Sequence, residues 1–315
     1  MLDQSIFKAR RTALIQKLPK NSVTIIAAGV EQIRNNDVEH PFRQDSTFFY
    51  LTGFDEPDAY LVICPQRAEG EYLLFVRPKD ITMEIWNGYR AGPQGAVDDY
   101  EADEAFECDD IDDVMPKLLA NTDCIYASFG QDSEFDQHIM HWVNDVKKQA
   151  RKGISAPTQF NDVSDLINEM RLIKSDAEID QLRKAAQISA QAHHIAMQKC
   201  NEGVNEYQLD AHIGFHNKMN GSKRDAYSSI VAAGDNANIL HYNSNDKVVK
   251  NGDLVLIDAG CEYNYYAADI TRTFPVSGKF STEQATLYQL VLDAQKSALE
   301  QVKPGNPYNA PHTAA

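Results

Sequence analysis

The 315-residue chain reads as two consecutive domains, an α/β domain followed by a segment of α+β order. Three observations predict this. Apolar strand runs alternate with helix-period segments up to about residue 155. A basic stretch, Lys147-Lys148-Gln149-Ala150-Arg151-Lys152-Gly153, followed by Pro157, then interrupts the pattern. Beyond it, helices precede a block of strands and a last helix. The expected division is 1–155, 156–305, and a tail at 306–315.

In the first domain, residues 6–18 are periodic and stop before Pro19, as a helix does. Residues 23–29 and 47–51 read as strands, the second closed by Thr52-Gly53. Residues 60–64 and 71–76, separated by a polar turn with Gly70, predict a hairpin within a mixed sheet. A strand at 123–127 and a helix at 135–148 follow. In the second domain 162–170 is helical. Ser175-Asp176-Ala177-Glu178 is a capping box, in which Glu reaches back to the cap backbone. It opens a long helix whose face carries Ile179, Leu182, Ala186, Ser189, His193 and Ala196. The next helix starts at Asn205, has Gln208 at its third position, and carries Leu209, Ile213, Phe215 and Met219. Residues 228–234 and 238–242 read as strands, and 283–301 as a helix closed by Pro304-Gly305. The last ten residues have neither period nor core, and read as disordered or foreign to the fold.

Net charge is −16, with 43% hydrophobic and 24% charged residues. This is a globular composition. The negative balance argues against nucleic acid as a partner, because phosphate binding needs a basic face. No apolar run nears the roughly 18 residues of a membrane span. The N-terminus has no basic region followed by an apolar one, so no signal peptide is expected. Five cysteines without Cys-x-x-Cys spacing suit a reducing cytoplasm. Ten acids crowd 96–113 with no Lys or Arg. They lack the EF-hand order and read as a solvated loop.

Chemistry concentrates at Asp258 and Asp269, which end or begin apolar strand runs, Leu254-Val255-Leu256-Ile257-Asp258-Ala259-Gly260 and Asp269-Ile270-Thr271-Arg272-Thr273-Phe274. A two-residue turn at Tyr263-Asn264 sets the two aspartates opposite each other on one face, with Cβ atoms about 5 Å apart. Carboxylates that close repel unless a proton or cation lies between them. The pair therefore reads as a metal or catalytic site. The alternative, a polar rim with one Asp capping a turn, fits poorly with the apolar flanks.

Other candidates carry less. His212 and His216 have zinc spacing on a helix, but Ile213 stands where a metalloprotease helix has Glu. His193-His194 points its rings in different directions and reads as structural. His241, expected on a strand beside the aspartates, is either a substrate-positioning or proton-shuttling group or a core histidine bonded to backbone. No Gly-x-Ser-x-Gly elbow occurs. Cys261 lies in an apolar run, where thiol reactivity falls.

The aspartate segments, with Cys261-Glu262-Tyr263 and Thr273-Phe274-Pro275, resemble the metal hairpin of bacterial aminopeptidase P. These are the Xaa-Pro aminopeptidases of the pita-bread metallopeptidase superfamily. Phe42-Arg43-Gln44-Asp45-Ser46, Phe49-Tyr50-Leu51-Thr52-Gly53-Phe54, Glu84-Ile85-Trp86-Asn87-Gly88 and Met170-Arg171-Leu172-Ile173-Lys174-Ser175 are similar to that family's N-terminal domain and bridge. The resemblance covers residues 1 to about 305. It implies an α/β N-terminal domain of the creatinase/aminopeptidase P type, then the first half of an α+β pita-bread catalytic domain.

By resemblance, Asp258 chelates one metal and Asp269 bridges two. His241 lines the proline end of the substrate, and Trp86 approaches a neighbouring subunit's site. The implied cofactor is manganese. The implied reaction is hydrolysis of the bond between an N-terminal residue and a following proline, by a metal-activated water. The implied setting is a cytoplasmic homo-oligomer. The family's further ligands, one His and two Glu, and two later pocket histidines, are carried beyond residue 315. No catalytic residue is therefore assigned here, and the 315 residues alone are expected to be inactive. Two other readings stand beside this one: a non-catalytic self-association protein that keeps the N-terminal domain, and a related peptidase such as a prolidase.

Overall fold

The structure, a computed structural model, describes residues 2–315. It divides into two compact units, 1–174 and 175–315. The first contains α1 (Gln4–Ile15), β1 (Ser22–Ala27), β2 (Ile33–Asn35), β3 (Val38–Glu39), α2 (Ser46–Thr52), β4 (Tyr60–Ile63), β5 (Tyr72–Val76), α3 (Ile81–Asn87) and α4 (Gly92–Asp98). It continues with β6 (Glu104–Glu107), α5 (Ile111–Leu119), β7 (Cys124–Ala127), α6 (Ser133–Lys147), β8 (Gln159–Asp162) and α7 (Ser164–Leu172). The division falls later than the basic stretch at 147–157. The reason is pairing: β8 adds a parallel edge strand to β7, with Cys124 opposite Gln159, and so belongs to the first sheet.

That sheet has six strands in the order β6-β5-β4-β1-β7-β8. Its central strands are apolar throughout because both faces are covered. Ile26, Leu61, Ile63, Leu74 and Val76 face one core with Leu14, Leu51 and Ile167. Their neighbours Val23, Ile25, Val62, Leu73 and Phe75 face the other, with Met115, Ile139 and Trp142. Strand alternation thus divides one continuous apolar run between two cores.

Residues 47–51 form a helix rather than the expected strand. Asp45 accepts hydrogen bonds from the Thr47 and Phe48 amides, both at 2.8 Å. Gly53, at φ 68°, closes the helix in the left-handed conformation. Two arginines of α1 finish the end. Arg10 donates to the Tyr50 carbonyl at 3.0 Å and Arg11 to that of Leu51 at 2.9 Å. An apolar run buried all round has no period, so only its caps distinguish helix from strand.

The second unit opens with α8 (Asp176–Lys199) and α9 (Glu206–Met219), then β9 (Arg224–Asp225), β10 (Ile230–Ala233), β11 (Leu254–Ala259), β12 (Cys261–Tyr263), β13 (Tyr266–Ala267) and β14 (Ile270–Pro275). It ends with α10 (Thr282–Leu299) and α11 (Ala310–Ala314). Both expected caps form: Ser175 N donates to Glu178 Oε2 at 2.9 Å, and Asn205 N to Gln208 Oε1 at 2.8 Å. On α8 the buried residues are Glu178, Ala185, Ile188, Ser189, Ala192, His193 and Ala196. On α9 they are Glu206, Leu209, Ile213 and Asn217, with Phe215 and Met219 exposed.

Two three-stranded sheets result, β10-β11-β14 and β13-β12-β9. Val255, Ile257 and Ala259 of β11 pack with Ala192, Ala196, Leu209 and Ile213. Alternation therefore puts Asp258 on the opposite face of the sheet. The last ten residues are not an unstructured tail. They include α11, and Ser297 Oγ of α10 donates to the Ala314 carbonyl at 3.2 Å.

Candidate metal centre

Asp258 and Asp269 come together, though not as direct partners. The hairpin turns at Asn264-Tyr265, both at positive φ (49° and 71°), the requirement of a tight primed turn. Asn264 Nδ2 donates to Gln181 Oε1 at 3.0 Å, and the Arg224 guanidinium lies 5.6 Å from the Tyr265 ring centroid. These contacts hold a tyrosine where sequence rules expect glycine or asparagine. Tyr263 consequently pairs with Tyr266, and Asp258 faces Thr271 rather than Asp269. The expected register is off by two residues. A shift of two preserves the face, so the aspartates remain on one side, now as diagonal neighbours.

One hydroxyl joins them. Tyr227 Oη lies 2.5 Å from Asp258 Oδ1 and 3.1 Å from Asp269 Oδ1. A phenol has one proton to donate, so the two carboxylates share it. Burial, then the two carboxylates, push the Tyr227 hydroxyl pKa upward and keep it a donor. Sequence reasoning passed over Tyr227. Its signal, a polar ring just before an apolar strand, is common to many half-buried tyrosines.

Gly260 is where the hairpin bends between its two sheets. A Cβ there would sit 1.8 Å from the Ala268 carbonyl oxygen, so only glycine allows the crossing. Beneath the bend, His193 Nε2 lies 3.1 Å from the Ala259 carbonyl and the Cys261 amide donates to Ser189 Oγ at 3.0 Å. Burial lowers the His193 pKa and favours the neutral ring.

His241 is not on a strand. Residues 234–238 form a 3₁₀ turn, and His241 follows in an exposed turn. Ile239 and Leu240, which suggested the strand, are exposed. The loop is fixed instead through its neighbour Tyr242. The fully buried Glu206 accepts from Tyr242 Oη at 2.7 Å, Ala233 N at 2.8 Å, Lys247 N at 2.9 Å and Asn236 Nδ2 at 3.0 Å. Four donors around one carboxylate override the local strand pattern. Trp86, in the first unit, is 81% exposed on α3. His212 and His216 are half-buried, and His216 meets Asn220 Nδ2.

Divalent-metal chemistry fits this pair. Both aspartates present oxygen ligands on one face, the chemistry preferred by hard divalent cations. No group of three or more His, Cys, Asp or Glu that could hold a metal ion occurs among the described residues.

Comparison with known proteins decides the family. Residues 7–126 match the aminopeptidase P N-terminal domain and residues 180–315 match metallopeptidase family M24. The Xaa-Pro aminopeptidase of Escherichia coli is 40% identical over 300 residues, 95% of this chain and 68% of the relative. The chain belongs to the aminopeptidase P family. It is also 33% identical to human Xaa-Pro aminopeptidase 3 over 320 residues, which is 96% of this chain and 62% of that protein. Among solved structures, Pseudomonas aeruginosa aminopeptidase PepP superposes with a TM-score of 0.98 at 47% identity, covering 99% of this chain and 71% of that one. A zinc-substituted E. coli aminopeptidase P in complex with product gives 0.93 at 39% identity, covering 96% and 69%. The pita-bread metallopeptidase fold and its aminopeptidase P N-terminal domain follow, and the M24 membership implies a divalent metal. The M24 match runs through residue 315.

Proposed function

We propose that this chain supplies part of the dinuclear metal centre of an Xaa-Pro aminopeptidase, with Asp258 as chelator and Asp269 as bridge. The observation that carries the reading is the convergence of both carboxylates on the single Tyr227 hydroxyl. Manganese is the proposed metal, since the donors in hand are oxygen and a hard cation suits them. A bound divalent cation in such a centre activates water and polarises the scissile carbonyl. The residues of this chain hold the carboxylates on one face and fix the loop that carries His241 beside the peptide's proline end. The proposed substrates are peptides with proline at the second position.

The 315-residue polypeptide presents two carboxylates at this centre. Two ligands hold a divalent cation weakly, so this polypeptide by itself binds manganese with low affinity and does not turn over Xaa-Pro peptides. Calorimetric titration with Mn²⁺ tests this: Asp258→Asn and Asp269→Asn should each abolish the binding. Two tightly bound ions per chain, or release of the N-terminal residue from an Xaa-Pro tripeptide, would overturn it.

Self-association is the second part of the reading. Ile81, Ile85 and Trp86 on α3 are 77%, 79% and 81% exposed, and α3 buries none of its residues. An apolar helix face left in solvent marks an association surface, which supports a homo-oligomer formed through the N-terminal unit. A cytoplasmic setting accords with five free cysteines, and no helix among the described residues is long and apolar enough to cross a membrane. Sedimentation of Trp86→Ala together with Ile85→Ser checks the surface, and an unchanged oligomer would exclude it.

A further inference from the structure

We propose that Ser189 and His193, one turn apart on α8, are positioning residues for the aspartate pair. They hold the backbone on both sides of Gly260 and so set the bend that brings Asp258 and Asp269 onto one hydroxyl. The proposal rests on the reading of these aspartates as metal ligands.

The geometry is specific. Residues four apart lie on the same helix face, and here they reach two consecutive sides of one bend. His193 meets the Ala259 carbonyl, next to Asp258, and Ser189 takes the Cys261 amide, on the far side of Gly260. A carbonyl only accepts, so the His193 Nε2 carries the proton and the ring is the Nε2–H tautomer. Opposite the bend, the Ala268 amide donates to the Cys261 carbonyl at 2.9 Å, and Asp269 follows immediately. Both aspartates are therefore one residue away from backbone that α8 anchors, directly on one strand and through Cys261 on the other.

Around them the α8 face is apolar, with Ala185, Ile188, Ala192 and Ala196; the other buried polar residue of the helix, Glu178, lies in its first turn and accepts from Tyr266 Oη at 2.9 Å. Ser189 is 1% exposed and His193 2%. Burying polar side chains is unfavourable unless they are hydrogen-bonded. The two polar positions coincide with the one place where the strand leaves its first sheet for its second. A displacement of that backbone moves each carboxylate directly, because neither aspartate has slack between its Cβ and the strand. Groups behind metal ligands act in this way, holding them in the geometry the ion requires.

The test uses the 315-residue chain and His193→Leu, His193→Gln and Ser189→Ala, with Asp258→Asn as a metal-binding control. Mn²⁺ affinity is measured by calorimetry, thermal midpoint by circular dichroism, and carboxylate geometry by crystallography. His193→Leu and Ser189→Ala should each weaken Mn²⁺ binding by roughly tenfold. His193→Gln, whose amide reaches the same carbonyl, should restore most of it. A lowered midpoint with unchanged Mn²⁺ affinity would reduce both residues to structural roles and overturn the proposal. If the parent chain binds no Mn²⁺, the metal reading fails separately, and the crystal structure of the variants decides. Loss of the shared Tyr227 contact then supports positioning, and its persistence overturns it. Should His193→Leu not fold, Ser189→Ala and His193→Gln carry the same comparison.

Discussion

Gly260 and the Ala268 carbonyl pass so closely that a Cβ on Gly260 would lie 1.8 Å from that oxygen. The crossing divides one hairpin between two sheets and places Asp269 beside the bend. Gly260→Ala should therefore destabilise the second unit by about 3 kcal/mol, the upper range for forced overpacking. Urea unfolding measures it. A loss under 1 kcal/mol, on the same scale, would mean that the strands can separate at no structural expense.

Tyr227→Phe removes the one proton shared by Asp258 and Asp269. In the absence of divalent cation the variant should lose about 1 kcal/mol, the usual net worth of a hydrogen bond. The residue is half-buried, so the charge-assisted upper range does not apply. Adding Mn²⁺ should narrow the difference, since a cation neutralises the same two oxygens. Equal stability of parent and variant without metal would show that the hydroxyl does not hold the two carboxylates.

Glu206→Ala should destabilise by about 3 kcal/mol, because buried donors lose their acceptor. Glu206→Gln should lose less, as its amide oxygen still accepts. Amide hydrogen exchange gives the local signature: faster exchange at Ala233 and Lys247 in Glu206→Ala. Unchanged protection there would show that something other than Glu206 fixes the loop bearing His241.

Three buried or half-buried tyrosines set an alkaline limit. Burial raises the Tyr72 and Tyr227 hydroxyls above the ordinary value of 10.0, and burial with the Glu206 hydrogen bond pushes Tyr242 up to about 12. In the unfolded chain these groups ionise near the ordinary value. Their folded pKa is the higher one, so their contribution is fully present below pH 10. It falls as pH rises from there toward the folded values. Stability against urea should decline above about pH 10, with part of the tyrosine absorbance change coinciding with unfolding. Constant stability between pH 10 and 12, the interval between these values, would contradict the shifts.

Much of the fold was legible because it is written in local signals. The capping boxes at Ser175 and Asn205 mark their helices, and the apolar runs at Tyr60–Ile63 and Tyr72–Val76 mark a hairpin. The errors fall where local pattern has no discriminating power. Residues 47–51 are apolar without period, so the Asp45 and Gly53 caps outweighed the strand-like composition. Residues 238–242 look like a strand, yet the acceptor that organises them, Glu206, lies on α9. The turn at Asn264-Tyr265 depends on Gln181 and Arg224, far away in the chain.

The sequence by itself determined the two-unit order, that Asp258 and Asp269 come together, and the face they share, because strand alternation survives a register error of two. Tertiary structure alone decided that they meet diagonally through Tyr227 and not directly across the ladder. That outcome depends on where the turn closes and how the strands cross at Gly260. Both are set by contacts between residues distant in sequence, which no local period encodes.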